Sequence, residues 1–149
     1  MKSFHWFALA FLVYLNNAGA DEMLIIRSGQ NFESAMTLLQ NTITGNGYKV
    51  TRVQRVDVGL EAKGYKTDRY RVVFYGKPGE NEMLVSKYPK LIPYLPLSIA
   101  IFAEEGNTIL TTARPTVLKQ FYPEPELKLV FERWEKDLVD ILDVVRETR

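Results

Sequence analysis

The sequence predicts an α+β fold: an antiparallel β-sheet with two long helices packed on one face, in the order β-α-β-β-(α)-β-β-α. Three observations carry this reading. Phe32, Ala35, Met36, Leu39 and Ile43 recur at helical spacing, and a longer stripe from Leu127 to Val145 does the same. Leu97 to Ala103 and Thr108 to Ala113 are two β-rich runs around Glu104-Glu105-Gly106-Asn107, a strong hairpin signal. Strands joined by a hairpin and flanked by amphipathic helices bury one sheet face and favour a layered α+β architecture.

Taken in order, Met23 to Ile26 is a short apolar run, read as a first, central strand. Ser28-Gly29-Gln30-Asn31 turns the chain, with Asn31 as N-cap and Glu33 well placed in the first helical turn. The helix ends at Gly45-Asn46-Gly47, since Gly and Asn tolerate the left-handed cap conformation. Tyr48 to Val56 reads as a second strand of imperfect alternation, because Arg52 shares a face with Val50 and Val56. Residues 57–65 form a connector with one possible helical turn, closed by Gly64. In the third strand, Asp68 to Tyr75, the set Tyr70, Val72 and Phe74 is the better core face. Gly76-Lys77-Pro78-Gly79 breaks that strand, and Glu80 to Tyr88 follows as a short helix. Pro89, Pro93 and Pro96 argue against regular structure before the hairpin. Residues 114–125 connect to the final helix, whose stripe is Leu127, Val130, Phe131, Trp134, Leu138, Ile141, Leu142 and Val145. Pairs Glu132–Lys136, Arg133–Asp137 and Lys136–Asp140 are spaced to lace its other face.

The first twenty residues read as a secretory leader rather than as fold. Lys2 precedes an apolar run from Phe4 to Leu15, and Ala18-Gly19-Ala20 is a small-x-small cleavage signature before Asp21. The run is too short for a membrane span, which needs roughly 20 residues. The expected address is therefore periplasmic or extracellular, with cleavage after Ala20 and one domain over residues 21–149. Without Lys2 the chain has 18 basic and 18 acidic residues, a neutral balance that speaks against nucleic-acid or anionic-membrane partners. The single histidine, His5, leaves with the leader, and the sequence contains no cysteine. Thiolate nucleophiles, disulfides, Cys/His zinc sites, His or Cys haem ligation and Ser-His-Asp catalysis are thereby excluded.

Acid–base chemistry would fall to carboxylates, Lys or Tyr. Asp57, Glu61, Asp68, Glu80 and Glu82 are scattered through turns, and no spacing sets two of them on one helical or strand face beside an apolar pocket. No loop clusters oxygen ligands as a Ca²⁺ site requires, so neither metal nor cofactor is expected. Tyr75, Lys77, Met83, Tyr88, Tyr94 and Arg114 are the candidate ligand-binding residues. They are aromatics and one or two cations in proline-bounded loops, suited to a small apolar, aromatic-stacking or peptide ligand. The plainer alternative is that they pack the long connection onto the sheet. A binding module of the envelope leads, with an envelope protein as another possible partner. A homo-oligomeric scaffold pairing through exposed edges at 48–56 or 23–26 is the alternative, and a Lys/Tyr/carboxylate enzyme follows.

One resemblance adds to this. Gly76-Lys77-Pro78, Met83, Pro89, Leu95-Pro96-Leu97, Glu104-Glu105-Gly106 and Arg114-Pro115 occur in the order seen in the domain of unknown function 302 family. The likeness covers roughly residues 24–118 and leaves the C-terminal helix aside. It implies a fold similar to that of TATA-box-binding protein, a curved antiparallel sheet with helices on its concave side, and it implies no settled activity. Lys77 stands where Asn is usual, Tyr94 where an acid is common, and a Gly-Thr after the first proline is missing; a ligand shared across the family is not implied for this chain.

Overall fold

The computed structural model describes residues 22–148. The leader reading over residues 1–20 lies outside them. Five strands form one antiparallel sheet: β1 (Met23–Ser28), β2 (Lys49–Arg55), β3 (Tyr70–Gly76), β4 (Leu97–Glu104) and β5 (Asn107–Ala113). The spatial order is β1-β5-β4-β3-β2. The long helices are α1 (Phe32–Gly45) and α4 (Pro125–Glu147); α2 (Val56–Glu61) and α3 (Glu80–Lys87) are short.

The α1 pattern folds as its spacing dictates. Phe32, Ala35, Met36, Leu39 and Ile43 are all buried, and the Asn31 side chain accepts the Ser34 amide at 3.0 Å. In α4 the stripe is buried apart from the half-buried Val130. Both helices share one core with Val73 and Tyr75 of β3, Ile99 and Ile101 of β4, and Leu110 of β5. Register explains that set, because Val73 faces Ile99 and Ile101 faces Leu110 across adjacent strands. The C-terminal end of α4 is tied to the β1–α1 turn: Ser28 Oγ donates to the Val145 carbonyl at 2.9 Å, and Gln30 Nε2 to that of Thr148 at 3.0 Å.

Four expectations are corrected. First, β1 is not central but an edge, because the β4–β5 hairpin takes the middle of the sheet and, among the described residues, β1 pairs only with β5. The edges are thus β1 and β2, the two segments named as edge candidates. Second, the core face of β3 is Val73 and Tyr75, not Tyr70, Val72 and Phe74. Both faces of that strand are apolar in sequence, and only the pairing with Ile99 decides between them. Third, Pro89–Tyr94 is a regular 3-10 helix; Pro89 opens it where no amide partner is needed. Fourth, Glu132 reaches Lys119 rather than Lys136.

The irregular alternation of β2 also acquires a cause. Its register slips between Val50 and Arg52, a bulge that turns Val50 and Val53 towards the core while the Arg52 guanidinium lies 4.5 Å from the centre of the Phe74 ring. At the hairpin tip Glu105 and Gly106 have φ of 49° and 81°, as a two-residue type I′ turn demands. The Asn81 amide covers Gly76, and a Cβ there would lie 2.3 Å from Asn81 Nδ2, so a larger residue would have to displace that side chain.

Asp57 at the start of α2 is buried and paired with Arg71 of β3, and it also accepts the Val58 amide at 2.8 Å. The Arg71 hydrogen bond, working against burial, holds its carboxyl below the usual range. That contribution to stability is present above the ordinary carboxylate pKa and disappears as pH falls through the folded value. Asp57→Asn is expected to cost about 3 kcal/mol near neutrality, since it strands the Arg71 charge. Urea titrations of both proteins should show a constant gap around neutrality that narrows as the pH falls below about 5.

Candidate functional site

One concave feature lies at one end of the sheet. A cavity of about 390 Å³ opens between the Pro93–Leu97 segment, the start of β4, and the chain leaving β5 through Ala113, Arg114 and Pro115. Three local decisions shape it. The prolines hold residues 89–96 in a tight 3-10 helix followed by an extended step, which sets Tyr94 and Leu95 on the rim. A second 3-10 helix, Pro115–Gln120, turns the chain away from β5 and supplies the opposite wall. Phe121, 65% exposed, closes the outer side.

Most of the wall is apolar, and among the described residues Arg114 is its one charged residue. Arg114 Nη1 donates to Glu135 Oε1 at 2.8 Å, and Glu135 Oε2 accepts from the Thr116 amide at 3.1 Å and from the Thr116 hydroxyl. Burial alone would raise the Glu135 pKa, but the Thr116 and Arg114 hydrogen bonds outweigh it and hold the carboxyl below its usual range. The carboxylate is therefore ionised at neutral pH and fixes the guanidinium against the wall. Arg114 Nε is buried without a hydrogen-bond partner among the described residues. Glu135 thus uses only part of the donor capacity of Arg114.

Tyr94 is braced from behind. Its ring meets Tyr122 edge-on at 6.1 Å, Tyr122 meets Phe131 at 6.0 Å, and Phe131 meets Trp134 at 5.7 Å. The Tyr122 hydroxyl donates to the Lys90 carbonyl at 2.6 Å. An aromatic series therefore runs from the groove rim into the core of α4.

The six candidate residues do not converge. Tyr94 and Arg114 share the groove. Tyr88 lines a separate recess of about 140 Å³ beside Tyr122 and Glu124. Met83 is 58% exposed on α3. Tyr75 is buried in the core, and Lys77 reaches inward to α4. Lys77 Nζ lies 3.3 Å from Asp137 Oδ2 and 4.8 Å from the centre of the Tyr48 ring. Tyr48 donates its hydroxyl to the same Asp137 oxygen at 2.7 Å. Burial first, then the hydrogen bond to Asp137, pushes the Tyr48 hydroxyl well above its usual range, and burial followed by the Asp137 charge does the same for Tyr75. Both phenols stay protonated at neutral pH, so neither of them is placed to act as a base. Among the described residues no three acidic, His or Cys side chains gather to hold a metal, and no helix is long and apolar enough to cross a membrane.

Sequence reasoning missed Phe74, Phe121 and Glu135. Phe121 carried a usable signal, an aromatic outside any periodic pattern in a proline-bounded connector. Glu135 carried none, since it sits on the polar side of α4 like any solvated residue.

Fold and cleft together define an α+β domain with an antiparallel sheet, helices packed on it, and an apolar groove at the sheet end. The chain belongs to the family described as Domain of unknown function DUF302, whose model matches residues 24–145. The match takes in α4, beyond the stretch where the motifs lie. In structure the chain is similar to an uncharacterized conserved protein DUF302 from Bacillus stearothermophilus, with a TM-score of 0.75 and 21% identity. That likeness covers 83% of this chain and 98% of the other, and it concerns the fold alone. No curated protein matches the sequence.

Glu135→Ala is expected to lower stability by about 1–2 kcal/mol, because it removes the acceptor for Arg114 and Thr116 together. Glu135→Gln should recover part of the loss, since an amide oxygen still accepts one of the two. Chemical denaturation of the three proteins at neutral pH measures both effects.

Proposed function

We propose that the chain is a non-catalytic binding module of the cell envelope or the secreted space, taking a small apolar molecule or an apolar peptide segment in the groove beside Tyr94 and Arg114. The observation that carries the reading is the composition of the wall. An apolar cleft of about 390 Å³ falls within the size range of small-molecule sites, and Arg114 is the charged side chain in its wall among the described residues. The apolar wall favours a hydrocarbon or aromatic body. Arg114 favours one acceptor on that body, a carboxylate or a carbonyl, at the end of the cleft. Tyr94 and Phe121 offer ring faces at the rim for stacking. The leader-like N-terminus supports the envelope address, and the neutral charge balance supports a partner other than nucleic acid.

Native mass spectrometry of the protein purified from the envelope of its own host tests this directly. The expected result is a stoichiometric added mass, lost in Tyr94→Ala and in Arg114→Ala while the fold persists. Arg114→Lys should retain a weaker complex, because an ammonium keeps the charge but not the planar fork. Bare protein from host material, or an added mass indifferent to both substitutions, overturns the assignment of the groove.

A further inference from the structure

We infer that β1 is a self-recognition edge, through which two copies of this chain pair antiparallel into one continuous sheet about a twofold axis at Ile25. The argument begins with main-chain hydrogen bonds. The Arg114 amide donates to the Glu22 carbonyl at 2.8 Å, so Glu22 turns its backbone groups towards β5. In an antiparallel ladder this direction alternates, so Leu24, Ile26 and Ser28 also face β5, while Met23, Ile25 and Arg27 point theirs outward. No strand lies on that outer side among the described residues. The side chains there are apolar and open, with Met23 41% and Ile25 68% exposed.

The two edges of the sheet are not equivalent. β2 carries Lys49, Arg52 and Arg55 and is interrupted by its bulge, the usual protections against further pairing. β1 pairs with β5 in unbroken register over all six residues and carries one charge, Arg27. An edge so regular and so sparsely charged is a pairing surface unless something covers it.

Self-complementarity selects a second copy as the occupant, and it also selects the register. A twofold axis perpendicular to the sheet keeps the helix-covered face of both copies on the same side. Residues placed opposite each other must then come from the same face, which forbids registers shifted by one residue. Centring the axis on Ile25 sets Ile25 against Ile25 and Met23 against Arg27. All the outward-pointing groups of Met23, Ile25 and Arg27 then pair, making about six main-chain hydrogen bonds. Shifting the register by two residues either way, which moves the axis by one, leaves Arg27 or Met23 without a partner from that set. Charge agrees with the central register. Arg27 meets Met23 rather than its own copy, and Glu104, 3.6 Å away, already balances it. The contact is narrow, so the dimer is weak and concentration-dependent.

The absence of cysteine makes the test simple. In a hydrogen-bonded antiparallel pair the Cα atoms lie about 5.5 Å apart, within disulfide reach. Ile25→Cys, at an exposed site that does not disturb the core, should form a disulfide-linked dimer under mild oxidation. Arg27→Cys should fail to link to itself but should link to Met23→Cys when the two are mixed. Arg52→Cys on β2 is the control for random collision. Sedimentation of the unmodified protein should show a dimer that Ile25→Lys abolishes, since two ammonium groups would then be opposed. A monomer at every concentration, cross-linking of Ile25→Cys no faster than of Arg52→Cys, or a dimer indifferent to Ile25→Lys overturns the inference. None of these outcomes depends on what the groove binds.

Discussion

The structure depends on the burial of the α4 stripe against the sheet and α1. Leu127, Phe131, Trp134, Leu138, Ile141 and Val145 are all almost fully excluded from water, and they meet the inward residues of β3, β4 and β5. Without disulfides, this apolar contact is the principal force holding the layers together. Everything that shapes the groove is referred to α4: the aromatic series behind Tyr94 ends on it, and the carboxylate that fixes Arg114 projects from it.

The polar side of α4 has a second use. Read as a sequence, it is a solvated face laced by pairs four residues apart. In the structure five of its charges serve the connections instead. Glu126 takes Lys87 at the end of α3, Glu132 takes Lys119, and Glu135 takes Arg114 and Thr116. Arg133 holds Glu80 at the start of α3, and Asp137 holds Tyr48 and Lys77. Each exposed pair contributes little by itself. Their joint effect is positional, since α3, the Gly-Lys-Pro turn and the Pro115–Gln120 segment are all registered to one helix. The unusual Lys77 thereby finds its place, because Asp137 and the Tyr48 ring receive its charge.

This arrangement separates the two surfaces that carry the functional proposals. The groove sits where α4-anchored loops meet the end of β4 and β5, and its walls are irregular segments with fixed side chains. The outer side of β1 is regular backbone, and what it offers is hydrogen-bonding capacity rather than a pocket. Loops positioned by a scaffold suit selective recognition, whereas an open strand edge suits pairing with another strand.

Local sequence determined the elements. The spacing of Phe32, Ala35, Met36, Leu39 and Ile43 defines α1 because only one helical face can be buried, and Asn31 caps it through a contact three residues away. The Glu105-Gly106 turn and the α4 stripe were equally legible, as their causes lie within a few residues or one helical period. Tyr94 and Arg114 were visible as candidates by residue type and proline context, but nothing in sequence set them in one cleft and Tyr75 and Lys77 outside it. Tertiary structure decided what depends on partners far along the chain. The choice between Val73 and Phe74 as core was made by Ile99, and the edge position of β1 by the hairpin inserted beside it. The role of Glu135 was made by a loop some twenty residues upstream. The division has a physical reason: helix periodicity, caps and turns are satisfied locally, while sheet order, strand face and loop anchoring are settled only when distant segments compete for the same buried surface.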